Sequence, residues 1–176
     1  MIDFSQNHFA LFGLKPRYRL DHERLDAAYR RLQSEVHPDR HASAAEAERR
    51  LALQSSARVN EAYLALKSPI DRAQYLLSLN GIDALSETDT ALPQEFLEHQ
   101  LARREAVSEA AAKGDGDTLA NLHSEVHMEM SELDSVLAGE LDEAQELSAA
   151  RTTVRQLKFL SKLAGDIESA IADLES

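Results

Sequence analysis

Three groups of residues in this chain of 176 have the types and spacing to do chemistry. The first is His37-Pro38-Asp39. A proline presets its turn, so a loop built on it loses less entropy on docking. Asp39 can pair with an arginine that is desolvated at a contact. His37 can donate or accept according to its tautomer. The plainer reading is that Pro38 stops a helix and Asp39 caps a turn. The second group is His123 and His127, four residues apart, a helical spacing that can hold zinc. The pattern between them is His-Ser-Glu-Val-His. Glu125 therefore lies about 200° around a helix from His123, which is not the zinc-protease arrangement. No third ligand stands out, and no metal or other cofactor is expected. The third group is carboxylate pairs such as Glu125 and Glu129, which could imitate an acid–base dyad. They are read as a solvated face opposite the apolar stripe, and no enzyme activity is expected of this chain itself.

Composition removes further chemistry. With no Cys, the chain cannot form a disulfide, a cysteine zinc site or thiolate ligation of an iron–sulfur cluster. Only six glycines are present, and neither G-x-G-x-x-G nor a Walker A loop occurs, so nucleotide binding by those routes is excluded. The net charge of −12 is unevenly distributed. Residues 1–80 carry 12 basic and 10 acidic side chains, whereas residues 81–176 carry 7 and 21. Seven of the nine aromatic residues lie in the first stretch. Two independent measures changing at one point predict two domains meeting near residue 80. An acidic second half argues against nucleic acid or an anionic membrane as partner. The N-terminus has no signal-peptide or transit-peptide character, and no run approaches the ~18 apolar residues of a membrane span. A cytoplasmic protein is expected.

The elements that must position these groups read as helices throughout. A helix of about two turns closes near Gly13 with Phe9, Leu11 and Phe12 apolar. A second starts at an Asp21 cap, buries a stripe of Leu25, Ala28, Tyr29, Leu32 and Val36, and stops at Pro38. His37-Pro38-Asp39-Arg40 follows as a loop. A third helix runs from about Ala44 to Leu66. Ser68-Pro69-Ile70-Asp71 is a start signal with Ser68 as cap, Pro69 at the first helical position and Asp71 closing a capping box. Asn80-Gly81 ends that helix. Three amphipathic helices follow as an antiparallel bundle: one over about 94–112, ended by Lys113-Gly114-Asp115-Gly116-Asp117, which also caps the next; one with a stripe from Leu119 to Leu137, ending at Gly139; and one from about Asp142 to Leu174. The expected division is 1–81, a linker at 82–93, and 94–176.

An apolar Phe-Leu helix, a His-Pro-Asp loop between two antiparallel helices and a capped fourth helix, in that order, resemble a J-domain. Leu11-Phe12-Gly13-Leu14, Tyr18 and Tyr75-Leu76-Leu77-Ser78-Leu79-Asn80-Gly81 resemble more specifically the HscB family, the J-type co-chaperones of iron–sulfur cluster assembly. Phe96-Leu97, Leu101, Arg104-Glu105 and Val154-Arg155-Gln156-Leu157-Lys158-Phe159-Leu160 are similar to the same family's helical bundle. The resemblance implies an all-α fold, with a J-domain followed by a three-helix scaffold-binding domain. It implies that His37, Pro38 and Asp39 trigger an HscA-type heat-shock ATPase, with Arg24, Arg30, Arg31 and Arg40 as electrostatic helpers. It further implies that Leu97, Leu101, Glu105 and Phe159 hold an IscU-type cluster scaffold protein. The chain departs from the family at Glu98 and Ala102, where an apolar residue and an acid are usual. It also lacks the cysteine zinc motif that some members carry before the J-domain, which fits a bacterial form. A general J-type co-chaperone with another client, or a non-catalytic helical scaffold, stays open at this point.

Overall fold

The computed structural model describes residues 2–41, 45–86 and 91–175, and every regular element among them is helical. The chain divides into two units, Met1–Asn80 and Gly81–Ser176.

In the first unit, α1 is His8–Leu11, a single turn rather than two, capped by the Asn7 side chain. α2 is His22–Val36, and Asp21 accepts from the Arg24 N–H at 3.0 Å as its cap. A 3-10 turn, Pro38–His41, occupies the expected loop. α3 is Glu46–Lys67, and α4 is Pro69–Leu79. The expected start of α3 at Ala44 lies outside the described residues. Ser68 serves two helices at once. Its N–H is spent on the Leu64 carbonyl at the end of α3, while its hydroxyl accepts from the Asp71 N–H. The reciprocal half of the capping box is therefore not made.

Leu25, Val59, Ala62 and Leu66 are fully buried between α2 and α3, each large one contributing about 1.5–3 kcal/mol. The rest of the α2 stripe is half-buried and is locked by polar contacts. Tyr29 and Tyr63 stack at 4.0 Å. The Tyr29 hydroxyl donates to Asn60 at 2.8 Å, Gln33 donates to the same oxygen, and the Tyr63 hydroxyl donates to Asp26 at 2.9 Å. One turn of helix cannot stand alone, so α1 is held from α4. The Tyr75 hydroxyl accepts from the His8 N–H at 3.0 Å, and its ring stacks on His8 at 4.0 Å. Buried Arg72 donates to the Leu66 carbonyl at 2.6 Å beneath the ring of Tyr18.

In the second unit, α5 is Gln94–Lys113, α6 is Gly116–Gly139 and α7 is Leu147–Glu175. Gly114 takes the left-handed conformation (φ +69) that closes α5, and Asp115 caps α6 by accepting from the Thr118 N–H at 3.0 Å. The join between α6 and α7 differs from expectation. Gly139 keeps helical angles, so nothing ends the helix there, and the backbone widens into a π turn, Glu140–Ala144. Gln145 then reverses direction at φ +53, and the Glu146 N–H returns to the Glu140 carbonyl at 2.9 Å. The last helix therefore begins five residues later than its composition suggests, at Leu147.

The core of this unit holds Phe96, Ala110, Leu119, Val126, Leu160, Leu163 and Ile167. The preceding segment is fastened to α7. Buried Arg155 donates to the carbonyls of Ala84 at 2.7 Å and Ala91 at 3.3 Å. No helix among the described residues is long and apolar enough to cross a membrane.

Candidate functional site

His37 follows α2 in extended geometry (φ −59, ψ 128), as a residue before proline must. The Arg40 N–H closes the turn on the His37 carbonyl at 3.0 Å. The Arg40 guanidinium donates to the Ser34 carbonyl at 2.9 Å, satisfying one of the orphan acceptors at the end of α2. Arg40 therefore braces the turn against the helix as well as carrying charge. The Asp39 N–H donates to His37 Nδ1 at 3.3 Å. The Asp39 carboxylate lies 3.5 Å from the same nitrogen, so the ring's tautomer selects which of the two contacts Nδ1 makes. Both side chains are open to solvent, at 53% and 90%. The structure thus presents His37 and Asp39 on a stiff turn at the end of a helix.

Arg24, Arg30 and Arg31 are all exposed on α2. Seven residues apart, Arg24 and Arg31 share one stripe and flank a shallow groove floored by Ala27 and Ala28 and walled by Phe12 and Leu14. Arg30 lies about 100° farther around the helix, off that stripe.

In the second unit, α5 has two opposed faces. Phe96, Gln100, Arg103 and Ala110 are buried. Leu97 and Leu101 are 44% and 61% exposed, and Glu105 is exposed beside them. Both leucines are therefore surface residues and not core. Phe159 on α7 is half-buried, edge-on to Phe96 at 5.7 Å and covered by the Arg104 guanidinium at 4.8 Å. Arg104 thus joins Phe159 to the α5 surface that carries Leu101 and Glu105. Lys158 and Lys162 line a groove beside Phe159 with Leu85 and Leu92, a basic spot in an acidic half. Glu98 and Ala102 are exposed on the flank of the leucine face, and Glu98 accepts from Gln94 at 2.7 Å.

The remaining groups need two corrections. Glu129 is not on a solvated face. Its carboxylate is 23% exposed and accepts from buried Arg103 at 2.6 Å and from fully buried Gln100 at 3.2 Å. Position 129 lies three residues from Val126, so it borders the apolar stripe, and a charge there must find a partner. The His123–His127 pair does have a third neighbour. Glu168 on α7 brings Oε1 to 3.1 Å from His123 Nε2. Forty-five residues separate them in sequence, so no spacing rule could reveal it.

Comparison with known proteins decides the family. The DnaJ domain matches residues 7–75, and the HSCB C-terminal oligomerisation domain matches residues 92–168. A co-chaperone protein HscB homolog of Azoarcus sp. is 45% identical over 99% of both chains. One from Cupriavidus taiwanensis is 46% identical over 97% of both. The chain belongs to the HscB co-chaperone family. Among solved structures, chaperone HscB from Vibrio cholerae shares 35% identity, with a TM-score of 0.85 over 96% of this chain and 99% of that one. Human co-chaperone HscB shares 25% identity, with a TM-score of 0.88 over 95% of this chain and 83% of that one. This HscB-family chain therefore has the J-domain-then-bundle order expected from its residues. Sequence reasoning missed two supporting side chains, the Arg104 cover on Phe159 and the Arg155 clamp. Their only signal was a basic residue within or beside an apolar run.

Proposed function

We propose that this HscB-type co-chaperone brings an IscU-type iron–sulfur scaffold protein to an HscA-type heat-shock ATPase and stimulates ATP hydrolysis there, in the cytoplasm. The observation that carries this reading is the braced His37-Pro38-Asp39 turn at the end of a helix bearing Arg24, Arg30 and Arg31. Its ordering cost is largely met before docking, and the arginines speed encounter with an acidic partner surface. We assign residues 1–81 to the J-domain, 82–93 to the connection and 94–176 to scaffold binding. Leu97, Leu101, Glu105 and Phe159 make the scaffold contact, with two exposed leucines as anchors beside a carboxylate. The chain performs no covalent step. It favours the hydrolysis-competent conformation of the ATPase by binding that conformation more tightly, and tethering the client raises its effective concentration.

Steady-state ATP hydrolysis by the partner, with and without scaffold, tests the reading. His37→Gln should abolish stimulation and leave scaffold affinity unchanged, because His37 is exposed and holds no core contact. Leu101→Ala should weaken scaffold binding by about tenfold, the loss expected of a truncated anchor, and spare stimulation measured without scaffold. Stimulation that survives His37→Gln would sink the J-domain assignment, and unchanged affinity in Leu101→Ala would sink the scaffold surface.

A further inference from the structure

We propose that His123, His127 and Glu168 form a binding site for a divalent first-row transition ion of the zinc type, linking α6 to α7. The residues converge from two helices. His123 and His127 lie one turn apart on α6, and their Nε2 atoms are 3.1 Å apart. Glu168 Oε1 on α7 lies 3.1 Å from His123 Nε2. One ligand atom from each residue falls within 4.8 Å of the other two.

The distances suit an ion. Zinc sits about 2.0–2.2 Å from imidazole nitrogen and carboxylate oxygen. Two such ligands at a tetrahedral angle are then about 3.3–3.5 Å apart. The two 3.1 Å separations need to open by only a few tenths of an ångström, and the exposed His127 and Glu168 side chains, within 4.8 Å of each other, turn inward to complete the set.

Proton accounting points the same way. A neutral imidazole carries one N–H. His123 Nε2 faces both the Nε2 of His127 and a carboxylate oxygen. A single N–H directed at one of them leaves the other in contact with no proton between. An ion at the centre uses all three lone pairs at once.

The donor set selects the class of ion. Two imidazoles and one carboxylate suit zinc, iron(II), nickel or copper, whereas magnesium and calcium prefer all-oxygen sites. The His123 and Glu168 side chains are 29% and 62% exposed. Solvent therefore reaches the site, and water completes the coordination, as in open rather than closed zinc sites. The net charge of −14 over residues 81–176 attracts cations to this half of the chain.

The site is separate from the proposed scaffold contact. Glu168 lies nine residues beyond Phe159 on α7, about 180° around that helix. Bound metal would cross-link the α6–α7 pair and stiffen the second unit without covering the leucine face.

Zinc titration of the full chain at neutral pH in a non-coordinating buffer tests the site, by calorimetry and by thermal melting. We expect one ion per chain and a melting temperature raised by about 5 °C near saturation, with no shift from magnesium. His127→Ala and Glu168→Gln alter exposed side chains, so each variant should melt like the parent without metal. Each should bind zinc at least about tenfold more weakly. Cobalt(II), as a spectroscopic stand-in, should show visible bands that weaken in both variants. Absence of saturable zinc binding overturns the proposal. Equal affinity in the parent and both variants also overturns it, because the ion would then sit on other histidines. Scaffold affinity should be unchanged in Glu168→Gln, so failure here is distinguishable from failure of the co-chaperone reading.

Discussion

Replacing Arg103 with Met should destabilise the second unit by about 3 kcal/mol, although the residue touches neither proposed partner. Arg103 is 8% exposed and Gln100 fully buried. The Arg103 guanidinium donates to Glu129 at 2.6 Å and to the Gln100 carbonyl oxygen at 3.0 Å, while the Gln100 amide donates to Glu129 at 3.2 Å. These three side chains form a closed ring between α5 and α6. Breaking a fully buried ion pair costs about 3–5 kcal/mol, because one charge is left unpaired. Glu129 is 23% exposed, so water recovers part of that, leaving about 2 kcal/mol. The Gln100 oxygen loses its donor in a site closed to water, adding about 1 kcal/mol. With a urea slope of about 2 kcal/mol per molar, the midpoint should fall by about 1.5 M. The assay is urea unfolding followed by far-UV circular dichroism, with tyrosine fluorescence beside it. All four tyrosines lie before residue 81, so fluorescence reads the first unit and dichroism reads both. Arg103→Met/Glu129→Met removes both charges but also takes the acceptor from the buried Gln100 amide, so it should recover about 1 kcal/mol of the loss. A midpoint shift below about 0.5 M in the single variant, or a double variant no more stable than the single, would refute the electrostatic account of how α5 is held.

Glu140→Gln should raise stability at neutral pH. Burial pushes the Glu140 carboxyl up, a hydrogen bond with Thr153 offsets part of that, and the nearby Glu146 charge adds a smaller upward push. A raised carboxyl favours folding in acid and loses that contribution as pH rises through its folded value. The gain from Gln should therefore vanish in acid, as thermal melts across pH would show. His8→Phe should flatten the acid limb of the first unit's stability. Burial, then Arg58, holds the His8 ring below its ordinary value near 6.5. Below that value the unfolded chain takes a proton that the folded chain resists, so the His8 contribution is present above it and lost as pH falls. Tyrosine-detected unfolding at neutral and mildly acidic pH checks this, and a parent-like acid loss in the variant would count against it. Tyr63→Phe removes the bond to Asp26 and should cost about 1 kcal/mol in the same assay, with no measurable loss contradicting that bond's contribution.

What the sequence made legible was local chemistry. Asp21, Ser68-Pro69 and Lys113-Gly114-Asp115 mark helix ends because capping acts over two or three residues, and each such signal is visible in a short window. The apolar stripe of α6 is readable for the same reason, since its period is a property of one helix. The α6–α7 join was not readable. A π turn and a left-handed Gln145 carry no residue signature, and Gly139 looks like a stop while adopting helical angles. Glu129 looked solvated because its partner, Arg103, is on another helix. Arg40 is an electrostatic helper by resemblance, and nothing in its spacing shows that its guanidinium also binds the Ser34 carbonyl. Glu168 gave no hint of its approach to His123. In each case the missing information is a pairing across elements, which depends on tertiary placement rather than spacing.

The four residues proposed to hold the scaffold are not equivalent, and the difference bears on how that surface is to be tested. Phe159 packs edge-on to core Phe96 and carries the Arg104 guanidinium over its face. Truncating it opens a cavity next to the core and costs a few kcal/mol of stability before any partner is considered. Lost binding in such a variant would say little about contact. Leu97 and Leu101 are 44% and 61% exposed on the face of α5 turned away from Phe96, Gln100 and Arg103. Their truncation gives up little buried area, and alanine has the higher helix propensity, so folded stability should stay within about 0.5 kcal/mol. A docking residue is then recognised by lost affinity at constant stability, a signature that a core residue cannot give. The two leucines meet that condition and Phe159 does not. The scaffold contact therefore stands or falls on Leu97 and Leu101.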